Sequence, residues 1–215
     1  MNAKRLICAL AVVNIAIFSC IICNVYCETA ESHFKKGVGF HKNGDYGQAI
    51  YEYNAAIAVD HNHDATYYNR GIAYAMKGDL DQAIRDYGKA IEINPSYSEA
   101  YVNRGTAYFH QNNIEQSISD FNKALEINPG NPKAYNYRGN VLAIEGTTNQ
   151  AISDFTEAIK INPNYSDAYI ARALAYFSKK EYTKSWEDVH KAESLGSKVK
   201  LDFLEMLKKV SGREQ

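Results

Sequence analysis

The sequence of 215 residues has no cysteine beyond position 27, since all four of its cysteines lie between Cys8 and Cys27. Any domain built from the rest of the chain therefore contains no internal disulfide, whatever its redox compartment. Cys20, Cys23 and Cys27 offer thiols, but they lie in an apolar stretch without a neighbouring histidine, which is not the setting of a zinc site. The sequence predicts no bound metal.

An excess of basic residues is also missing, because 24 lysines and arginines stand against 25 acidic residues. Lys4 and Arg5 precede the first acid, Glu28, so the rest of the chain is slightly acidic. A nucleic-acid-binding protein needs a basic face that displaces counterions from phosphates. We therefore expect no nucleic-acid partner.

The chain also lacks the short motifs of common enzymes, such as a glycine-rich phosphate loop, a nucleophile elbow or a paired metal-ligand helix. His61 and His63, with Asp60 and Asp64, offer a cluster of metal ligands. They lie at a turn between repeats, where solvated turn residues are the better explanation. The sequence therefore predicts neither an enzyme nor a protein with a cofactor.

Residues 6–23 form an apolar-dominated stretch that directly follows Lys4 and Arg5. A basic start and an apolar middle are typical of a signal peptide, although such a middle usually spans about 7–15 residues. The stretch also reaches the lower limit of about 17–25 residues for a helix that spans a bilayer. The basic end should stay cytoplasmic, which places the rest of the chain on the far side. We expect residues 1–29 to be a signal peptide or an N-terminal membrane anchor, and the protein to be exported, periplasmic or extracytoplasmic.

Three outcomes remain open for this segment. Cleavage after Cys23 or Cys27 would leave small residues at the cut, and retention would give a single-pass anchor. The segment that ends at Cys20 loosely resembles a bacterial lipobox, with Cys20 as the lipidated residue, although the bulky Phe18 fits that motif poorly. A buried N-terminal helix is a weaker alternative, because an unbroken apolar run would need burial all round.

The remaining chain repeats itself with a fixed 34-residue period. The repeat is plain in AIEINPSYSEAYVNRG from Ala90, ALEINPGNPKAYNYRG from Ala124 and AIKINPNYSDAYIARA from Ala158. Extending this period in both directions needs no insertion or deletion. It predicts five units, at residues 30–63, 64–97, 98–131, 132–165 and 166–199.

Within each unit, apolar and small residues recur at three- and four-residue steps, which predicts two amphipathic helices per unit. Gly78-Asp79 separates the two helices of the second unit as a helix stop followed by an N-cap. Gly44-Asp45, Asn112-Asn113 and Gly146-Thr147 occupy the same place in other units. We also expect first-helix caps at Asp64, Ser98, Asn131 (before Pro132) and Ser166, and second-helix stops at Pro95, Pro129 and Pro163.

These units resemble the tetratricopeptide repeat (TPR) family, whose pattern has an early aromatic residue, then Gly and Tyr, then Ala, an aromatic residue, Ala and Pro. The third unit matches this pattern, with Ser117 in place of the first Ala, at Tyr101, Gly105, Tyr108, Phe121, Ala124 and Pro129. The resemblance covers residues 30–199 and implies an all-α fold, a right-handed solenoid of five 34-residue helix-turn-helix units. The repeats are also similar to those of the superhelix of the O-linked N-acetylglucosamine transferases.

The two end units are atypical, as expected for units that have a single neighbour. His61 replaces proline in the first unit, and Ala173 replaces glycine in the fifth. Residues 200–215 are predicted to form a C-terminal cap helix and tail, because apolar side chains recur there at helical spacing in Val199, Phe203, Leu207 and Val210.

One departure from the TPR pattern recurs in all five units. A basic residue precedes the glycine position, where the family usually has leucine, and an acid follows sixteen residues later. One interpretation is a basic stripe that binds anions. We favour structural salt bridges, within a helix hairpin or between adjacent hairpins, because every base has a matching acid. The pairs are Lys36–Glu52, Arg70–Asp86, Arg104–Asp120, Arg138–Asp154 and Arg172–Asp188.

In TPR arrays the first helices of successive units line a concave groove, so the resemblance implies a partner-binding surface there. The candidate lining comprises the first-helix residues that are not expected to pack internally. They are Phe34, Val38, Tyr68, Asn69, Ile72, Val102, Asn103, Thr106, Phe109, Asn136, Tyr137, Asn140, Ile170 and Phe177.

Asn69 and Asn103 occupy equivalent places in their units. In the O-linked N-acetylglucosamine transferases an asparagine at this place holds the backbone of an extended peptide, a role that suits an amide because it both donates and accepts. This ladder is short, since Lys35, Tyr137 and Ala171 interrupt it. The alternative is that these asparagines only solvate or cap the helix surface.

The co-chaperone type of TPR holds a C-terminal carboxylate in a clamp of Lys, Asn and Arg. The clamp places carry Phe34, Val38 and Glu99 here, so we do not expect an acidic chaperone tail. With apolar and aromatic side chains between the amides, we expect an extended peptide or a helix of a partner protein.

Three functions fit these features. The first is a protein–protein interaction scaffold or adaptor in the assembly of an envelope or membrane-associated complex, held at the membrane if residues 6–23 are retained or lipidated. The second is a self-associating structural subunit. The third is a detached regulatory TPR module of a glycosyltransferase-like system, which is weakened because no catalytic domain follows residue 210 in the sequence.

Overall fold

The computed structural model describes residues 29–212, which form eleven α-helices and no strand. Ten of the helices make five consecutive pairs, and the eleventh stands alone at the C-terminal end. In chain order they are α1 (Ala30–Lys42), α2 (Tyr46–Val59), α3 (Asp64–Met76), α4 (Leu80–Ile93), α5 (Ser98–His110), α6 (Ile114–Ile127), α7 (Pro132–Ile144), α8 (Thr148–Ile161), α9 (Ser166–Ser178), α10 (Tyr182–Ser194) and α11 (Leu201–Ser211). The prediction of five helix-turn-helix units followed by a cap helix is confirmed.

The turns inside the first two units follow the chemistry that the sequence predicts. Gly44 and Gly78 have left-handed backbones, with φ of 79° and 84°, and Asp45 and Asp79 then accept hydrogen bonds from the backbone N–H groups of Gln48 and Gln82. Glycine favours this conformation because it has no Cβ to clash. Asn113 and Thr147 also occupy N-cap positions, but neither side chain makes a capping hydrogen bond.

The expected caps of three first helices are wrong by one residue. Asp64, Ser98 and Ser166 are the first helical residues, and the N-cap positions belong to His63, Tyr97 and Tyr165. Polar side chains in the first turn have other partners here: Ser98 Oγ donates to the Ala124 carbonyl, and Asp64 accepts from Asn94. Asn131, in contrast, caps α7 as predicted, accepting from the N–H groups of Lys133 and Ala134, and Pro132 is the first residue of that helix.

Each unit packs as a tight hairpin, and its second helix also packs on the first helix of the next unit. The first helices of successive units contact one another, so α1, α3, α5, α7 and α9 lie side by side. Within the described residues, the second helices have no comparable packing between units. The stack therefore curves with its first helices on the inner face, which is where the groove was predicted.

The close approach of the two helices within a hairpin depends on glycine. A Cβ atom added at Gly71 would lie 2.8 Å from Cε1 of Tyr87, and one at Gly139 would lie 2.6 Å from Cε1 of Phe155. Both aromatic rings are at most 2% exposed. The aromatic residue of the second helix thus fills the space that the missing side chain leaves on the first.

Helix α11 closes the C-terminal end of the stack. Phe203 and Leu207 are buried against α9 and α10, in a cluster with Trp186 and Val189. The Trp186 indole Nε1–H also donates to Ser211 Oγ at 3.0 Å. Val210, which was expected on this face, is about half exposed instead.

The predicted signal or anchor segment, including residues 6–23 and Cys20, lies outside the described residues. Across residues 29–212, no helix combines the length and the apolar character that crossing a membrane requires.

Candidate functional site

The arginine–aspartate pairs of units two to five are bidentate contacts within each hairpin. In the third unit, Arg104 Nε and Nη2 donate to the two carboxylate oxygens of Asp120, both at 2.8 Å. The other three pairs have the same geometry, with distances of 2.6–2.8 Å. The Arg104 and Asp120 side chains are only 22% and 8% exposed. The hydrogen bonds to Asp120 raise the pKa of Arg104, so the guanidinium stays charged at any relevant pH.

Tyrosine rings enclose the same guanidinium groups. Arg104 lies 5.5 Å from the ring centre of Tyr101 and 5.9 Å from that of Tyr108, and Arg172 has the equivalent arrangement with Tyr169 and Tyr176. These cation–π contacts keep the guanidinium group against tyrosines of its own helix, while its Nε and Nη2 atoms face the aspartate. Little of the cation remains for an anionic ligand, so the arrangement is that of structural pairs.

The third nitrogen of most of these arginines reaches the preceding unit. Arg70 Nη1 donates to Asn54, Arg138 Nη1 to Asn122 and Arg172 Nη1 to Thr156. Each acceptor lies sixteen residues before its arginine, on the second helix of the previous unit. The pairs therefore bridge within and between hairpins, the two possibilities that the sequence left open. At the equivalent place before Arg104 stands Gly88, which has no side chain to accept.

The first unit differs from the others. Glu52 makes a 2.6 Å contact with Nδ1 of His33 on the same hairpin, and the two side chains are only 13% and 18% exposed. His33 lies one helical turn before Gly37, close to the position that the sequence assigned to Lys36. Glu52 on the second helix thus contacts a histidine on the first helix of its hairpin.

The predicted lining of the groove divides into residues that face the inner surface and residues that the fold covers. Val102 is 5% exposed and belongs to the central core, so it does not line an open surface as predicted. Phe177 packs instead against the cap helix, with its ring centre 5.5 Å from that of Phe203 and 5.8 Å from that of Tyr182. Tyr68 is partly buried, with its ring 4.7 Å from that of Tyr97.

The asparagines of the predicted ladder use their N–H groups inside the chain. Asn69 Nδ2 donates to the Ala65 carbonyl at 2.7 Å, and Asn103 Nδ2 donates to the Tyr68 hydroxyl at 3.1 Å. Across residues 29–212, no hydrogen bond reaches Oδ1 of either amide, so this acceptor can serve a partner. Asn69 and Asn103 can therefore accept hydrogen bonds from the N–H groups of a peptide, but one N–H of each amide already donates within the chain.

The inner face has a cavity of about 630 Å³ between α7 and α9, with Phe109 of α5 at its edge. Five predicted lining residues border it: Phe109, Asn136, Tyr137, Asn140 and Ile170. Its other lining residues were missed: Ala143, Ile144, Thr148, Phe155, Asp167, Ala171, Leu174, Ala175 and Ser178. Repeat position could have identified Leu174, because it is the fifth-unit equivalent of Asn140, Thr106 and Ile72.

The lining of the cavity combines exposed apolar side chains with polar ones. Ile144 and Leu174 are 66% and 45% exposed and together give the cavity an apolar wall. Asn136 lies at the floor, 3% exposed, and donates to the Tyr165 hydroxyl at 3.4 Å. Burial raises the pKa of that phenol to about 12, so it stays protonated. Among the described residues that line the cavity, Asp167 is the single charged one.

The part of the chain that the structure describes holds no group of three or more His, Cys, Asp or Glu side chains placed to bind a metal ion. The members of the turn cluster near His61 have local partners instead. His61 contacts the Ile57 carbonyl, and Asp60 accepts from the Asn62 N–H.

Solved structures with the same architecture include MamA, with 26% sequence identity and a TM-score of 0.68 over 74% of this chain and 94% of that one. PilF of Pseudomonas aeruginosa aligns with a TM-score of 0.77 at 17% identity, over 85% of this chain and 84% of its own. YrrB, described as a TPR protein with an unusual peptide-binding site, aligns with a TM-score of 0.65 at 21% identity, over 81% and 90% of the two chains. At these low identities, PilF and YrrB show likeness of fold alone. No curated protein sequence matches the chain.

Family models agree with the structures. The tetratricopeptide repeat model matches residues 65–97 and 98–131, a TPR repeat model matches 37–78 and 139–180, and a further tetratricopeptide repeat model matches 121–153. Together they span residues 37–180 without a gap, and the helices, turns and glycine–aromatic contacts of those residues repeat with the same period. The chain belongs to the tetratricopeptide repeat family.

Proposed function

We propose that this protein is an interaction scaffold that binds a segment of a partner protein along the inner face formed by α1, α3, α5, α7 and α9. The observation that carries the proposal is the cavity between α7 and α9, where the exposed side chains of Ile144 and Leu174 lie together in a concave site. Exposed apolar surface in a concave site, beside a few polar groups, is characteristic of binding sites.

The polar groups of the inner face suit a peptide ligand. The Oδ1 atoms of Asn69 and Asn103 accept from backbone N–H groups of any sequence, and apolar side chains between them select for apolar partners. The arginines are already paired with aspartates, so the ligand is not expected to be an anion. This combination favours a binding role over a catalytic one.

Photocrosslinking tests the location of the binding face. A photoreactive amino acid is placed in the full chain at Thr106 on the inner face or, as a control, at Tyr51, which is 66% exposed on α2. In the native membrane fraction we expect partner adducts from position 106 and few from position 51. Equal adducts from both positions, or adducts from position 51 alone, would contradict a groove-based scaffold.

We propose further that residues 1–29 direct the protein to or across a membrane, so that the scaffold works in an envelope or membrane-associated complex. The basic start and the apolar residues 6–23 support this. Cell fractionation with mass spectrometry of the N-terminus tests it and separates cleavage, retention and lipidation of Cys20. A chain with an intact, unmodified N-terminus in the cytosolic fraction would overturn it.

Self-association is a second candidate, favoured by the apolar side chains that α11 leaves exposed. Leu201, Met206 and Val210 are 67%, 51% and 47% exposed at the end of the stack. Light scattering of the wild type and of Met206→Glu tests this function. A wild-type oligomer that the substitution dissociates would support it, and a wild-type monomer at micromolar concentration would count against it.

A further inference from the structure

The cavity between α7 and α9 combines amide groups, aliphatic side chains and one carboxylate, and together these groups specify a ligand. On α7, Asn136, Asn140 and Ile144 follow one another at four-residue steps and so share one face. On α9, Ile170 and Leu174 do the same, with Asp167 one turn before them. Because both are first helices of their units, they run in the same direction. Asp167 therefore lies toward one end and Ile144 toward the other, and between them Asn136 and Asn140 stand at the repeat positions of Ile170 and Leu174, so each amide has an aliphatic side chain beside it.

Two amides in this cavity have hydrogen-bonding atoms that the described chain does not use. Asn140 is partly exposed, and its side chain makes no hydrogen bond with the residues that the structure describes. Asn136 is only 3% exposed, and its Oδ1 has no hydrogen-bond partner within residues 29–212. A buried acceptor without a donor is destabilising, so a ligand that donates a hydrogen bond to it gains affinity. Oδ1 of Asn136 is covered by its neighbours, and it reaches a ligand only when its side chain rotates toward the cavity.

The ligand that fits these amides is an extended chain rather than a helix. A helix uses its N–H groups on its own carbonyls and has none to offer along its length. An extended segment keeps its N–H groups free and projects successive side chains to opposite sides. It can therefore donate to Asn140 or Asn136 and place a side chain on the aliphatic wall at the same time.

The charge and the size of the cavity further restrict which extended peptides can bind there. Its volume of about 630 Å³ lies within the range of ligand sites, about 300–1,000 Å³, so a bulky side chain can enter. Asp167, the only charged residue among the described lining, selects for a cation. Asp167 and Leu174 are seven positions apart on α9, a distance of about 10 Å. About three residues of extended chain span that distance.

We propose that this cavity is the anchor site of the groove and takes a bulky apolar side chain of an extended peptide that carries a lysine or arginine within about three residues. The proposal rests on the scaffold function proposed above and names the chemistry of its ligand.

The test selects peptides from a displayed library of random 12-residue sequences on the full-length chain. Selected peptides should share an apolar residue with a cation nearby. A synthetic copy should lose at least tenfold in affinity when the backbone nitrogen of the anchor residue or of its neighbour is methylated, which removes the donor.

Variants of the protein test the same contacts from the other side. Leu174→Lys and Asn140→Ala should each weaken peptide binding about tenfold. Asp167→Asn should weaken binding several-fold and lower its salt dependence.

The control is Ile161→Lys, since Ile161 on α8 is exposed to a similar degree, 38%, but does not line the cavity. It should leave affinity within twofold, and circular dichroism should show all variants folded. Unchanged affinity with Leu174→Lys and Asn140→Ala, combined with losses from Asn69→Ala and Asn103→Ala, would overturn the anchor site but keep the scaffold function. Selected peptides that bind as helices and tolerate N-methylation would also overturn it. If no peptide is enriched, or no inner-face variant changes binding, both proposals fall.

Discussion

At the residue scale, Arg138 shows how contacts with its own hairpin, with the preceding unit and with a neighbouring ring hold an arginine in place. Arg138 has both oxygens of Asp154 on its own hairpin, Asn122 on the preceding unit and the ring of Tyr135 beside it. A pair with this little exposure carries a desolvation cost that its hydrogen bonds offset only while both partners are present. Replacing one member of the pair should therefore destabilise the protein more than replacing both members together.

We expect Asp120→Ala to lower stability more than the double change Arg104→Met/Asp120→Leu. The single change leaves a mostly buried cation without its carboxylate, at a cost of about 3 kcal/mol. The double change replaces the pair with apolar side chains of similar volume, which costs about 1 kcal/mol or less. Thermal and urea unfolding measure both. Equal losses would show that the two side chains do not act as a pair.

A histidine near the end of α1 gives a pH dependence of stability. Burial lowers the pKa of His41, and its Nδ1 has no hydrogen-bond partner within the described part of the chain. Because the folded pKa lies below the unfolded value of about 6.5, the unfolded chain binds more protons there. The stability that the neutral imidazole contributes is therefore present above pH 6.5 and declines as the pH falls through that value, down to the folded pKa.

His41→Phe should make the loss of stability between pH 7 and pH 5 smaller than in the wild type. Phenylalanine already stands at the equivalent place in Phe109 and Phe177, and it keeps an aromatic contact with Tyr46, whose ring centre lies 5.3 Å from that of His41. Urea midpoints across this range measure the difference. His110→Phe, at an exposed site, is the control, and an identical slope in wild type and His41→Phe would refute the assignment.

At the scale of elements, the repeat period specified most of the fold. Glycine followed by Asp is a local signal, because a left-handed turn and an N-cap depend only on the backbone of the residues next to them. Asp45 and Asp79 are N-caps as this signal predicts. The predicted caps at Asp64, Ser98 and Ser166 were wrong because a serine or aspartate suits the first turn as well as the cap. Hydrogen bonds such as that of Ser98 with Ala124, which is distant in sequence, decide between the two.

The candidate site was less predictable than the helices. Which first-helix residues face the groove depends on the rotation between neighbouring units, which no single unit encodes. Val102 and its equivalent Asn136 are buried although Tyr68 and Ile170, at the same place in their units, stay partly exposed. Phe177 is covered by α11, which no other described unit has as a neighbour. Leu174 shows the converse, because a leucine is more often buried than exposed, yet its place in the repeat leaves it at the groove.

Helix α4 lacks one contact that other second helices make. Gly88 stands where Asn54, Asn122 and Thr156 accept a hydrogen bond from the arginine of the following unit. A Cβ atom there would lie 3.6 Å from Arg104 Nη1, an ordinary contact distance, so a side chain fits. The junction of the second and third units can therefore be strengthened by a single substitution.

Gly88→Asn should raise the free energy of unfolding by about 1 kcal/mol, through a new hydrogen bond and a few tenths from helix propensity. The same substitution in the Arg104→Met/Asp120→Leu background should give only the propensity gain. Urea unfolding of the four chains isolates the coupling between the two sites. A gain of the same size in both backgrounds would mean that the introduced amide does not bond Arg104 Nη1.

At the scale of the whole molecule, each unit depends on its neighbours rather than on one shared core. The free energy of unfolding of such a stack is close to the sum of the stabilities of the units and of the interfaces between neighbouring units. A substitution that destabilises one end therefore need not unfold the other end. Within the described residues, only α11 covers the fifth unit on its outer side, through Phe203 and Leu207. The chain's single tryptophan, Trp186, lies at this junction and is 5% exposed, so its fluorescence reports on that end alone.

Removing α11 by ending the chain after Ser197 should expose Trp186 and shift its emission to the red. The fifth unit should then unfold at a lower urea concentration than the rest, so the fluorescence midpoint falls below the midpoint by far-ultraviolet circular dichroism, which averages over all units. Leu207→Ala should do the same to a smaller degree, because it removes a fully buried side chain, at a local cost of about 2–5 kcal/mol.

Met206→Ala is the matched control, since Met206 lies beside Leu207 on α11 but is 51% exposed. Its fluorescence and circular dichroism midpoints should keep the wild-type relation. Native emission and coincident midpoints in the truncated chain would contradict the role of α11 as a cap. A loss of structure in all five units would instead mean that the junctions are strong enough for the stack to unfold as one cooperative unit, and the separate treatment of units would be wrong.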